Sequence, residues 1–241
     1  MIRNDDLWQK PTVLEDGVAV MCVDPGETTG YVCALLPNSA LLRVGPDEWL
    51  SACALDPTGT ERGMSRIVDV RDWKLGGNPV IGKRHCLWFR YGHIAAPSLK
   101  EGGSYLGQEM EAVRALFRVG RTLEVDARKL SHKKLPGMTT IVCEDFILRE
   151  HTKLRSLLAP VRVTTGMYNW FDSSSMFDIE FYLQQVGSAK HTVDDATLKK
   201  LGLYQEGWGH ANDACRHLLL YARSYYNQLV IRERARSGQI R

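Results

Sequence analysis

The chain has no run of apolar residues approaching the about 20 that a membrane-spanning helix needs. That excludes an integral helical membrane protein. The opening Met1-Ile2-Arg3-Asn4-Asp5-Asp6 lacks the apolar core of a signal peptide, so a soluble cytoplasmic protein is expected. The six cysteines, at 22, 33, 53, 86, 143 and 215, show no paired spacing. This argues against a zinc ribbon or a disulfide framework and for reduced thiols acting as small apolar fillers. Net charge is only +3, so overall charge does not advertise a nucleic-acid partner. There is no internal repeat and no low-complexity segment. What remains is 241 residues with 44% hydrophobic content, which suits one compact α/β domain over 1–241.

Within that domain the most informative segment is Asp24-Pro25-Gly26-Glu27-Thr28-Thr29-Gly30, directly after Val18-Ala19-Val20-Met21-Cys22-Val23. The apolar run reads as a buried strand that carries a carboxylate to its end. Pro25 and Gly26 force a turn, and Tyr31 to Leu36 reads as a strand running back. Asp-Pro-Gly is also an ordinary turn, so the chemical reading depends on other acids meeting Asp24.

Two segments supply them. Thr139 to Cys143 is a β-branched strand ending in Glu144-Asp145, and period-two alternation lets only one of those acids share Asp24's side of a sheet. From His210 a helical pattern begins, with Ala211, Ala214, Cys215, Leu218 and Ala222 on one apolar stripe. His210, Asp213 and His217 lie on the neighbouring stripe. Phosphodiester hydrolysis by two divalent ions about 3.5–4 Å apart needs such converging carboxylates. Magnesium keeps most of its waters, so three acids and a histidine suffice for two ions. Taken singly, Asp213 would only complement a helix dipole, and His217 reads as structural.

VAVMCVDPGETTGYVCAL, TTIVCEDFILRE, LLAPVRVTTGMYNWF, GSAKHTVDDATLKKLGLY and GHANDACRHLLLYARS occur in that order between Val18 and Ser224. Together they resemble the RuvC-type Holliday-junction resolvases of the RNase H-like superfamily, in the form found in phages of actinobacteria. The resemblance implies a mixed five-stranded sheet, antiparallel hairpin strands plus parallel ones, flanked by helices. It implies a homodimer that cuts four-way and other branched DNA with two Mg2+ ions, Mn2+ substituting. Asp24, Glu144 and Asp213 would be metal ligands, and His210 stands where family members carry either Asp or His. Phe146 is either a core aromatic or the family's junction wedge. Lys190 is either a surface lysine or the cation that faces the scissile region.

Further DNA contacts are expected from Arg149, Lys153, Arg155 and Arg162, which follow Glu144 on an expected loop. The alternating charges of the RERARSGQIR tail read instead as a solvated, frayed helix end. Along the chain the expectation is an irregular leader over 1–17, a third strand over 86–91, helices over 104–119 and 176–186, and a last helix over 210–232. Residues 37–84, rich in Gly, Pro and Asp, exceed a hairpin loop and read as an insertion of unknown role. Two rival functions fit parts of the pattern. An actin-like or sugar-kinase ATPase also places Asp-x-Gly-x-Thr after its first strand, but carries the fold twice. A catalytically silent junction-binding protein would need no convergence of the acids.

Overall fold

The computed structural model describes residues 17–55, 65–68, 74–75, 78–86, 89–95, 109–120, 140–145, 154–173 and 179–238. Strands β1 (Gly17–Asp24) and β2 (Thr28–Pro37) form the expected hairpin, with Asp24 opposite Gly30. Their apolar runs are almost wholly buried, as strands with helices over both faces require. Thr29 closes the connecting turn from inside: its hydroxyl donates to the Gly26 carbonyl at 3.1 Å.

The remaining strands are β3 (Ser65–Val68), β4 (Lys74–Leu75), β5 (Asn78–Cys86), β6 (Phe89–Ala95), β7 (Thr140–Asp145) and β8 (Glu180–Gln185). The sheet runs β3-β5-β6-β2-β1-β7-β8, with β4 attached to β5. Its run β6-β2-β1-β7-β8 is the mixed five-stranded sheet expected, antiparallel on the β6-β2-β1 side and parallel from β1 through β7 to β8. Helices flank it, so the chain is α/β. No helix among the described residues is long and apolar enough to cross a membrane.

Three expectations change. The third strand begins at Phe89, because Cys86 closes β5 and Phe89 pairs back on it. Residues 37–84 exceed a hairpin loop, as expected. They hold α1 (Asn38–Leu55), interrupted where Gly45 takes φ +79 and Pro46 restarts the helix, and they hold strands that extend the sheet beyond β6. The segment 176–186 is a strand over Glu180–Gln185, not a helix. Glu180–Gln185 pairs in parallel with β7, where inter-strand hydrogen bonding overrides an ambiguous side-chain pattern. The expected loop through Arg155 and Arg162 is also a helix from Leu154 onward.

That helix, α3 (Leu154–Ser173), lies on the face opposite the proposed acids, where the Cys143 thiol meets the Thr164 hydroxyl at 3.3 Å. Ala159, Val163 and Met167 give it a buried stripe at spacing four. It crosses the helix over 109–120, which we label α2 and which overlaps the helix expected over 104–119. Gly166 permits the close crossing, since a Cβ there would stand 3.1 Å from Val113. The other face carries α4 (Val186–Thr192), α5 (Asp195–Lys200) and α6 (Gly209–Arg236), with α1 packed on α6. Arg223 on α6 holds Asp47 of α1 through two bonds of 2.9 and 2.7 Å. The stripe predicted on α6, from Ala211 to Ala222, is fully buried against the sheet. Cys22, Cys33, Cys53, Cys143 and Cys215 are buried and in no disulfide, as fillers should be.

Candidate active site

Strand register places the proposed acids side by side. Val23 pairs with Cys143 on the parallel neighbour, so Asp24 and Glu144 follow as the next residues of β1 and β7. Glu144 pairs with Gln184, Asp24 with Gly30, and Gly30 with His93. Gln184, Glu144, Asp24, Gly30 and His93 therefore form one row across five strands. Paired residues share a face, and this row lies under the start of α6. Alternation sends Asp145 to the other side, so Glu144 is the acid that meets Asp24.

Gly30 is the point of contact between sheet and helix. A Cβ on it would stand 2.0 Å from the His210 carbonyl oxygen, a distance no side chain can occupy. The missing side chain lets the first turn of α6 rest on the strand, and this seats His210 over the carboxylates. His210 Nδ1 lies 2.7 Å from Asp24 Oδ2, so one proton is shared between ring and carboxyl. Two turns on, His217 is buried, with Nδ1 2.8 Å from Gln184 Oε1 and Nε2 3.7 Å from Glu144 Oε2. His217 thus ties the second acid to the edge strand, in keeping with a structural role.

Burial sets the electrostatics. Asp24 is 8% exposed and Glu144 7%, and their carboxyls lie within hydrogen-bond reach of each other. Desolvation, reinforced by Glu144, pushes the Asp24 carboxyl up to about 7 against the opposing pull of His210. Desolvation also raises Glu144, but the bonds from His217 and Asp24 outweigh it and hold that group down at about 2. Glu144 is therefore ionised near neutrality, whereas Asp24 titrates there. The bond to Asp24 raises the His210 pKa in spite of burial.

Asp213 stands one turn into α6 with both oxygens engaged. Lys190 of α4 reaches Oδ2 at 2.9 Å, and Arg216 bonds Oδ1. Burial works against the Lys190 ammonium, but its bond to Asp213 and the charges of Glu144 and Asp24 raise its pKa overall. Arg162 lies elsewhere: it pairs with Glu109 at 3.2 Å, between α3 and α2 on the opposite face. In this arrangement it ties the two helices together. Arg155 lies on α3, in its first turn. Phe146, Arg149 and Lys153 lie outside the described residues.

Two further residues build the site. His93 of β6 is buried and accepts the Ala211 N–H through Nε2 at 2.8 Å, capping α6 from across the sheet. Burial lowers its pKa and favours the neutral ring that capping requires. Asn212 exchanges two bonds with the Gln205 backbone and fixes the approach to the helix. Neither carries a sequence signal beyond the Gly30-containing motif, because capping across strands depends on register.

His93→Ala should leave a buried N–H unpaired and cost about 1–3 kcal/mol. His93→Gln, whose amide oxygen can accept the same bond, should recover part of the loss. Thermal melts together with hydrogen exchange at the Ala211 amide check this, and an exchange rate equal in all three proteins would remove the cap from the account. The chain matches no protein-family model and no curated protein.

Proposed function

We propose that this chain is a divalent-metal-dependent endonuclease of the RuvC type on an RNase H-like fold, acting on four-way and other branched DNA. One observation carries the reading. Two buried acids from adjacent parallel strands touch beneath a helix that brings His210 onto one of them and Asp213 one turn away. A buried carboxyl whose ionisation is held up to about 7 marks a place where a cation is electrostatically welcome. Hard carboxylate oxygens with one imidazole suit Mg2+ and Mn2+. Among the described residues no three His, Cys, Asp or Glu side chains stand at metal-ligand spacing.

Asp24 and Glu144 would hold or bridge two ions, and His210 with Asp213 would complete the second ion's shell. Bound there, the metal would activate water and shield the leaving oxygen's charge. The protein's own part is positional. The sheet row fixes the carboxylates, His217 and Gln184 orient Glu144, and the buried setting around Asp24 limits competing water. Lys190, 53% exposed at the rim, supplies a cation next to an acidic centre that would otherwise repel phosphate. Symmetric cutting of a four-way junction needs two such sites about a two-fold axis, so a homodimer follows from the proposal.

The test is direct. Purified protein with Mg2+ should cut a labelled four-way junction in preference to linear duplex and leave 5′-phosphate ends, and chelation should stop it. ATP turnover without DNA cleavage would overturn the reading in favour of an actin-like ATPase. Junction binding without cleavage under any divalent metal would make the chain a silent binder.

His210 offers a graded check. His210→Ala should slow cleavage by roughly 10²-fold, the low end for loss of a group that moves protons. His210→Asp should retain most of the rate and move the acid limb of the pH profile downward, because a carboxylate stays ionised where imidazole is protonated. Identical profiles for all three proteins would confine His210 to starting the helix.

A further inference from the structure

The two oxygens of Asp213 are held by cations that differ in their freedom to leave. Arg216 bonds Oδ1, is only 10% exposed, and is anchored twice more, by the Val193 carbonyl at 3.1 Å and by Asp195. It cannot withdraw without breaking the packing of α6 on the α4–α5 turn. Lys190 bonds Oδ2 from a side chain 53% exposed, and Asp213 is the partner its ammonium reaches. Its flexible stem can swing into solvent at little cost. One oxygen of Asp213 is therefore fixed and the other exchangeable.

Resting on the metal-dependent reading above, we propose that Lys190 is a tethered counter-ion that occupies the second-ion position at Asp213 Oδ2. The site then fills in order. Asp24 and Glu144 would hold a first divalent ion, and Asp213 could help to hold a second only once Lys190 has let go of it. Three observations point this way. Lys190 approaches from α4, which follows β8 directly, so it is fixed relative to Gln184 and the acidic row. Its charge is felt by Glu144 and by His210 as well as by Asp213. An ammonium at this spot is a like charge beside any incoming ion, as well as a competitor for its ligand. Lys190 would thus set how many ions the site holds before DNA arrives.

Calorimetric titration of the full chain with Mn2+ alone tests this without reference to cleavage. The wild type should bind one ion tightly and a second weakly. Lys190→Met should tighten the second step by roughly tenfold or more, since it removes both a competitor and a like charge. Lys190→Arg, which keeps the charge, should leave the second step weak. Adding Asp213→Asn to Lys190→Met should abolish the gain. A second step unchanged or weakened in Lys190→Met, or a gain that survives Asp213→Asn, would overturn the proposal while leaving the metal site intact. Failure of both wild type and Lys190→Met to bind Mn2+ at all, with melts showing both folded, would instead bring down the metal reading and this inference with it.

Discussion

Asp24→Asn should abolish cleavage and at the same time stabilise the folded protein above neutral pH. The first half follows from losing a carboxylate that would hold metal. That contribution is several kcal/mol of transition-state stabilisation, and at about 1.4 kcal/mol per decade the loss is roughly 10³-fold or more. The second half follows from burial. The ordinary carboxyl value is 3.8, and in the folded chain Asp24 is pushed up to about 7. A folded-state value above the unfolded one means that the native state holds the proton more tightly. The associated stability is complete below 3.8 and is lost as pH rises through about 7. At about 1.36 kcal/mol per pH unit the loss is on the order of 4 kcal/mol. Asparagine has no proton to lose, so its melting temperature should exceed that of the wild type at pH 8 and converge with it near pH 4. Each kcal/mol is worth roughly 2–4 °C in a chain of this size. Saturating Mn2+ should close the gap by raising only the wild type, because binding to the native state adds stability.

Glu144→Gln should share the loss of cleavage but not the gain in stability. Glu144 is held at about 2, below its ordinary 4.5, so its contribution is present above 4.5 and lost as pH falls toward 2. Removing it costs stability at neutral pH, a cost tempered by relief of Asp24. Two variants that match in activity and diverge in melting temperature would separate chemistry from folding. Full cleavage by either variant in Mg2+ would remove that residue from the site.

Gly30→Ala should be the most damaging exchange of one small residue for another. The added methyl would overlap the His210 carbonyl, with its carbon at 2.1 Å and its oxygen at 2.0 Å. Those atoms are backbone and cannot rotate aside, so the start of α6 must lift from β2. Overpacking of this kind costs about 1–3 kcal/mol. Lifting the helix also separates His210 from Asp24 and Ala211 from His93, so cleavage should fall with stability. Gly209→Ala makes a matched control, since a Cβ there meets nothing within 4 Å. Melts and cleavage rates for the two variants decide the matter, and a Gly30→Ala protein that behaves like Gly209→Ala would contradict the packing.

Much of this row was legible in the sequence, and for a physical reason. Buried strands such as β1 and β7 are continuous apolar runs that end in an acid, and α6 shows its buried stripe at helical spacing. Where exposure is mixed the pattern fails. Edge strand β8 leaves Tyr182 and Leu183 exposed and half-buries Phe181 and Gln184, which resembles neither a buried strand nor an amphipathic helix. Sequence likewise cannot show that α3 turns Arg162 toward Glu109. Residues 37–84 were opaque because α1 is broken by Gly45-Pro46, which punctuates a helix as though it were a loop. His93 was missed because its role exists only through its pairing with Gly30.

The distance in sequence between Asp24 and His210 has a temporal meaning. The two side chains that touch are 186 residues apart, and the helix carrying the second is the last element of the described chain. Synthesis at roughly 5–20 residues per second separates their emergence by on the order of 10–40 s. During that interval the hairpin and its first acid exist without His210, Asp213 or the His217 that holds Glu144. On the metal-dependent reading proposed above, a chain assembled in this order would have no complete site until α6 docks.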